Sequence, residues 1–370
     1  MVKFLGMNYL APELTVVVPT LNEAGNIAEL LARLHRALSG LNWEVIFVDD
    51  DSTDATRANI AAAAQTDPCI RLLHRIGRRG LSSACIEGML ASTAPVLAVM
   101  DADLQHDETL LAPMFEAIRT QRADLVVGSR YIQGGDIGEW SAKRASMSRI
   151  ATFMGRKLVS DLTDPMSGFF MIRRDAFNLA VRNLSAIGFK ILLDIVASAN
   201  RPLKILELPF SFGQRVAGES KLDANVSGQF LLLLLDKLVG RFIPVRFLMF
   251  SLIGALGVAV HLAVLWFALN VLKLPFAYAQ GAATLVAIVN NFTLNNTFTF
   301  RDRRLRGAAL LRGFVSFAAI CSLGAAANVG VASFLFGSAA ASWWLAGIAG
   351  GAMSAVWNYA VTSLFTWRAR

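Results

Sequence analysis

Charged side chains are in short supply. Asp, Glu, Lys and Arg make up 17% of the 370 residues, against roughly a quarter in an ordinary soluble domain. The deficit is uneven: residues 1–240 hold most of the charge, while 245–370 has little beyond one basic cluster. A soluble half therefore precedes a membrane half. Cysteine is scarcer still. Cys69, Cys85 and Cys321 are scattered, odd in number and never in CxxC spacing, so they imply neither a zinc site nor a disulfide framework. The four histidines, His35, His74, His106 and His261, have no ligand spacing. No GxGxxG fingerprint is present, and Gly77 and Gly80 mark only a turn with Arg78 and Arg79 facing a diphosphate or solvent. The net charge of +8 comes without aromatic-basic interleaving or a nucleic-acid motif, so nucleic acid is not an expected partner. A negatively charged membrane surface and phosphorylated substrates account for it better.

What is present centres on Asp101-Ala102-Asp103-Leu104-Gln105-His106, which follows the short apolar run Ala94–Val99. Such a run reads as a buried strand. Two carboxylates one residue apart, with an amide two further on, form a hard-oxygen set suited to Mg²⁺ or Mn²⁺ completed by phosphate oxygens. Taken alone, the same residues could be a solvated acidic turn.

Around them strands alternate with helices. Leu14–Pro19, Trp43–Val48, Ile70–His74 and Asp124–Arg130 read as strands, with Asp49-Asp50-Asp51 at the end of the second. Helical spacing runs through Asn26–Leu38 with Ile27, Leu30, Leu31 and Leu34 on one face, and again near Leu110–Gln121. The alternation predicts an α/β fold with a mostly parallel sheet, whose ligands bind beyond the carboxyl ends of the strands. Ala142–Val159 is a basic helix, Asp164–Ile172 leads from a turn into a strand, and Phe189–Ala199 is a helix holding Asp194.

Leu222–Phe242 sets Asn225, Gln229, Asp236 and Gly240 on one helical face against Phe230–Leu235, the pattern of a helix in the membrane plane. Four apolar stretches follow, about 245–270, 275–298, 310–335 and 341–366, each long enough to cross a bilayer. Arg301, Arg303, Arg304, Arg306 and Arg312 between the second and third, and Arg368 and Arg370 at the end, outweigh Lys273 in the opposite loops. The positive-inside rule then puts loop 301–309 and both termini in the cytoplasm. Met1–Gly6 has too short an apolar part for a signal peptide, so the soluble half is expected on the cytoplasmic side of the inner membrane. Asn290, Asn291, Asn295 and Asn296 crowd one end of the second span, where amides commonly join helices.

Six stretches carry a resemblance. Val18–Glu23, Val48–Asp54, Asp101–His106, Gly128–Tyr131, Asp164–Phe169 and Gly218–Lys221 resemble the inverting GT-A glycosyltransferases of family 2, specifically polyprenyl- and dolichyl-phosphate sugar synthases of the dolichyl-phosphate mannose synthase kind. Asn290-Asn291-Phe292 and Thr297–Phe300 are similar to GtrA-type membrane domains. The resemblance implies a GT-A domain over 1–221, an interfacial helix region over 222–243 and a four-span GtrA-like domain over 244–370. It implies a nucleotide-sugar site of Pro19, Leu21, Glu23, Val48, Asp50, Asp101, Ala102, Asp103, Arg215 and Lys221. Asp101, Asp103 and Gln105 would hold the metal; Arg130, Arg144 and Lys221 would meet the acceptor phosphate; Asp103, Arg130 and Arg144 would be catalytic. The implied reaction moves a sugar from GDP-mannose to a polyprenyl or dolichyl monophosphate. UDP-glucose is the alternative donor, and a lipid-linked sugar carrier or flippase the alternative role. Leu21, where mannose-transferring members often have Tyr, and Asp51, where many have Gly or Asn, depart from the pattern. Homo-oligomerisation stays open. A processive polysaccharide synthase is disfavoured by the lack of a Gln-x-x-Arg-Trp stretch.

Overall fold

The computed structural model describes residues 11–136, 151–156, 161–185, 188–213, 244–338 and 343–368, with isolated positions between them. The chain divides into two compact units, Met1–Leu238 and Val239–Arg370.

The first unit is a seven-stranded sheet between helices. In order along the chain its elements are β1 (Leu14–Thr20), α1 (Ile27–Ala37), β2 (Trp43–Asp49), α2 (Thr56–Thr66), β3 (Ile70–His74), α3 (Leu81–Ala91) and β4 (Val96–Val99). They are followed by α4 (Leu111–Arg119), β5 (Leu125–Ser129), β6 (Phe170–Arg173), α5 (Arg174–Ala180), α6 (Ile191–Ser198) and β7 (Ile205–Pro209). The sheet order is β3-β2-β1-β4-β6-β5-β7. β6 alone runs antiparallel to its neighbours β4 and β5. β1 and β2 are buried along all seven residues, as a strand covered on both faces must be.

The strands split their side chains between two cores. Val16, Val18, Val45 and Phe47 pack with Leu30 and Leu34 of α1 and with Met114 and Ile118 of α4. Val17, Ile46, Val48 and Val99 pack on the other face with Ala84, Cys85 and Met89 of α3 and Leu192 of α6. The helix spacing read from Ile27, Leu30, Leu31 and Leu34 holds, and all four are buried. α2 and α5 were not expected. β1 and β4 are adjacent, yet the chain winds from β1 through β2 to β3 before returning to β4 on the other side. That reversal opens the crevice at the carboxyl ends of β1 and β4.

Of the expected interfacial segment only Leu233 and Lys237 are described. Both pack on the first unit: Leu233 is 1% exposed inside the α3/α6 core, and Lys237 Nζ stands 2.6 Å from the buried carboxylate of Asp194.

The second unit contains α7 (Val245–Asn270), α8 (Phe276–Leu294), α9 (Ala308–Ser338) and α10 (Trp343–Phe365). Among the described residues Val245–Asn270 and Ala308–Gly330 are long and apolar enough to cross a membrane. Their outer faces carry exposed Leu252, Leu262, Trp266 and Val315. Polar groups lie inside: Asn296 donates to Leu305 O, accepts from Leu305 N at 2.8 Å and accepts from the Trp367 indole at 3.1 Å. One of the clustered amides therefore does join segments.

Candidate active site

Three strands end in left-handed residues. Asn22 beyond β1, Asp51 beyond β2 and Leu104 beyond β4 have φ of 55°, 61° and 61°. Asn and Asp tolerate this region, but a bulky residue such as Leu104 enters it at a cost. Sequence reasoning could not see that strain, which falls between two of the predicted metal ligands. Asp51 accepts from Gly77 N at 3.2 Å and from His74 at 3.0 Å. Its φ explains why Gly and Asn would also serve there.

The carboxylate run occupies the crevice. Asp103 is 5% and Gln105 7% exposed, while the Asp101 side chain is 34% exposed and closest to solvent. Asp103 accepts from Gln105 N at 3.2 Å. Gln105 donates its side-chain amide to Gly213 O at 2.8 Å and accepts Gly213 N–H on its own carbonyl at 2.9 Å. Gly168 backs this group; a Cβ there would stand 3.3 Å from Asp101 Oδ2, so a larger residue would push the Asp101 carboxylate aside by a few tenths of an ångström. Among the described residues no three His, Cys, Asp or Glu side chains converge on one point. The donor set is two carboxylates and an amide oxygen, all hard, which fits a divalent ion that takes its other ligands from phosphate and water.

His106 is fully enclosed. It stacks on Phe169 at 5.1 Å and meets Phe210 and Phe212 edge-on. Burial pushes its imidazole down to about 4, against the weaker upward pull of Asp103. The ring is thus neutral at pH 7, with Nδ1 accepting from Asp101 N at 3.1 Å.

Asp50 is also buried. It accepts from Arg75 Nη1 at 2.5 Å and from Gly80 N at 2.6 Å. Burial raises its carboxyl above the usual range, opposed first by the Gly80 bond and then by Arg75. Arg75 is 3% exposed and was missed, although it directly follows β3, where the rule about strand ends applied. Arg78 is turned to Glu87 at 2.8 Å. Pro19 lies within β1 and Val48 within β2. Glu23 holds Asn26 at 2.8 Å.

Arg130, at the end of β5, is 9% exposed. Its Nε and Nη2 donate to the two oxygens of the buried Asp164 at 2.8 and 2.9 Å, and Phe212 lies 5.6 Å beneath the guanidinium. Asp164 is positioned in turn by Glu207 of β7, which accepts Asp164 N at 3.1 Å and Thr163 N at 2.9 Å. A cavity of about 580 Å³ beside them is lined by Tyr131, Arg149, Thr152, Phe153, Arg156 and Thr163. A larger one, about 650 Å³, lies at the opposite end of the sheet; its Arg119 and Arg173 are paired with Glu116 and Asp175. Arg144, Arg215 and Lys221, expected at the phosphates, lie outside the described residues.

Comparison with known proteins identifies the family. Residues 15–179 match Glycosyl transferase family 2, and residues 249–367 match the GtrA/DPMS transmembrane domain. The dolichol-phosphate mannosyltransferase of Pyrococcus furiosus is 37% identical over 305 residues, spanning 81% of this chain and 84% of that one. The chain belongs to glycosyl transferase family 2. It is a glycosyltransferase and, by its GtrA/DPMS domain and apolar helices, a membrane protein. Dolichol-phosphate mannosyltransferase of Saccharomyces cerevisiae shares 36% over 62% of this chain and 88% of its own. Undecaprenyl-phosphate mannosyltransferase of Micrococcus luteus shares 33% over 58% and 88%. A looser likeness is to glucosyl-3-phosphoglycerate synthase of Mycobacterium tuberculosis, at 20% identity, covering 61% of this chain and 79% of that one with a TM-score of 0.46.

Proposed function

We propose that this glycosyltransferase moves a mannosyl group from GDP-mannose to a membrane polyprenyl monophosphate, giving a lipid-phosphate monosaccharide. The observation that carries the reading is that relatives from an archaeon, a yeast and a bacterium bear names sharing mannose and a prenyl phosphate. The Asp101–Gln105 run and the buried Arg130 supply the chemistry it needs.

The acceptor is a phosphate monoester whose second pKa is about 6, so its oxygen is already a nucleophile at neutral pH. That oxygen attacks the anomeric carbon, the bond to the diphosphate breaks, and the nucleoside diphosphate leaves with the electron pair. An α-linked donor is thereby inverted to a β-linked product. No general base is required, in keeping with a His106 that is neutral and uses Nδ1 to hold the Asp101 backbone. A divalent ion on Asp101, Asp103 and Gln105 would neutralise charge on the departing diphosphate. Asp50 and Glu23 would hold the nucleoside, with Asp50 kept in place by Arg75 and Gly80. Arg130, oriented by Asp164, would face the acceptor phosphate together with Arg144 and Lys221. Arg149 and Arg156 add positive charge to the adjoining cavity. The catalytic half, loop 301–309 and both termini would lie on the cytoplasmic face.

The test is a panel. Purified protein is incubated with labelled GDP-mannose or UDP-glucose and a short polyprenyl phosphate, and lipid-extractable label is measured. Label from GDP-mannose alone supports the proposal. Label from UDP-glucose alone overturns the donor, and no lipid product from any nucleotide sugar overturns the reaction.

A further inference from the structure

The second unit repeats itself. Phe247, Phe250, Ile253, Leu256 and Gly257 recur as Phe314, Phe317, Ile320, Leu323 and Gly324, at a constant offset of 67 residues. The same offset carries Asn291-Phe292 onto Asn358-Tyr359 and Phe298-Thr299-Phe300-Arg301 onto Phe365-Thr366-Trp367-Arg368. α7 and α8 thus correspond to α9 and α10.

The contacts repeat as well. Within the first hairpin a Cβ on Gly257 would strike the Asn291 amide, and within the second a Cβ on Gly324 would strike that of Asn358. Each asparagine fills a notch that only glycine leaves open. Between hairpins, Phe292 meets Phe314 at 5.5 Å and Phe317 at 5.6 Å. Its equivalent Tyr359 meets Phe247 at 5.3 Å and Phe250 at 5.7 Å, the equivalents of those two partners. Reciprocal pairing of this kind, i with j′ and i′ with j, is the mark of a two-fold interface. A residue on the axis must then meet its own equivalent, and it does: Phe300 and Trp367 stack face to face at 4.2 Å, 5° from parallel.

We infer that the membrane unit is one two-helix hairpin used twice, paired through a self-complementary aromatic face about a pseudo-two-fold axis through the Phe300–Trp367 stack. Two helices make each repeat, so the copies are parallel, the arrangement whose axis runs along the membrane normal. The partner each hairpin's face fits is a copy of itself. Where the copies differ, the first is the more polar: Asn290, Asn295 and Asn296 stand against Trp357, Thr362 and Ser363. Asn296 uses that difference to hold Leu305 of the Arg-rich connector and the Trp367 indole.

The symmetry makes a sharp demand at one broken pair. In the second hairpin Ser316 and Thr366 share a hydrogen bond at 3.0 Å. In the first, Thr299 Oγ1 is buried without a partner among the described residues, and Met249 occupies the position equivalent to Ser316. Met249→Ser should therefore restore the missing bond, while Met249→Ala cannot. In full-length protein in detergent, Met249→Ser is expected to unfold at a higher temperature than Met249→Ala, with the difference abolished in a Thr299→Val background. Equal midpoints, or a difference that survives Thr299→Val, overturn the inference. A second arm is independent of that bond: the Phe292/Phe317 and Tyr359/Phe250 double-mutant cycles to alanine should give couplings of the same sign and similar size. Coupling in one pair alone also overturns it.

Discussion

Asp164 offers a way to separate what Arg130 does for the fold from what it does for the reaction. The Arg130 side chain is 8% exposed and that of Asp164 fully buried, with two parallel hydrogen bonds between them and a third from Arg130 N to Asp164 Oδ2 at 3.2 Å. Asp164→Ala leaves a guanidinium and a backbone N–H without this acceptor. Breaking a buried pair from one side costs about 3–5 kcal/mol, far above the ~1 kcal/mol or less of a surface pair. Replacing both charges by apolar groups of similar volume is often close to neutral, so Asp164→Leu combined with Arg130→Met should regain most of the lost stability. Activity should not return with it. A charge-assisted contact to a phosphate is worth on the order of 1.5–3 kcal/mol, which corresponds to about one to two orders of magnitude in kcat/KM. The assay pairs denaturant unfolding in detergent with sugar transfer at varied acceptor concentration. Recovery of transfer along with stability in the double variant would refute the assignment of Arg130 to the acceptor. A cost below about 1 kcal/mol for Asp164→Ala would refute the buried-pair argument.

Other outcomes follow from neighbouring contacts. Arg75→Met removes a cation that lowers the already raised carboxyl of Asp50, so Asp50 should protonate at still higher pH and the acid limb of kcat/KM should move upward; a limb that stays or moves down contradicts the Asp50 role. Because a carboxyl raised by burial binds its proton more tightly in the native state, its contribution to stability falls as pH rises from 3.8 through the native value. His106→Ala should cost much less transfer than Asp103→Ala, since the acceptor needs no deprotonation, and a loss of several orders of magnitude persisting at high pH would restore a base. Gly88→Ala would drive a methyl into Val17 and to 2.8 Å from Val48 behind the site; overpacking of this kind costs about 1–3 kcal/mol, read as a lower unfolding midpoint, and an unchanged midpoint would contradict the tight α3–sheet packing.

The strands were legible because central parallel strands must be apolar throughout, as Val16–Val18 and Val45–Val48 are. α1 was legible from its apolar face. α2 was not, since only Thr56 and Ile60 of its eleven residues are buried and its alanines leave no stripe to detect. The acidic half of the site could be read because strand ends bear ligands in such sheets. The links between distant residues could not. Arg130 and Asp164 both stood in quoted motifs, but their pairing spans 34 positions, and Glu207 belonged to no motif until β7 placed it under Thr163 and Asp164. The left-handed backbone of Leu104 has no signature in residue type. The repeat in the second unit was hidden for another reason: its identities are few and become meaningful only when Phe292 and Tyr359 are seen to make equivalent contacts.

The central claim is that sugar transfer runs at the Asp101–Gln105 run. It is tested most directly by transfer of labelled mannose from GDP-mannose to a short polyprenyl phosphate, by the wild type and by Asp103→Ala, with and without excess chelator. The account predicts a lipid-linked product from the wild type that chelator abolishes and added Mg²⁺ or Mn²⁺ restores. It predicts none from an Asp103→Ala variant whose unfolding midpoint is unchanged. Undiminished product from Asp103→Ala, or full turnover in chelator, would contradict it.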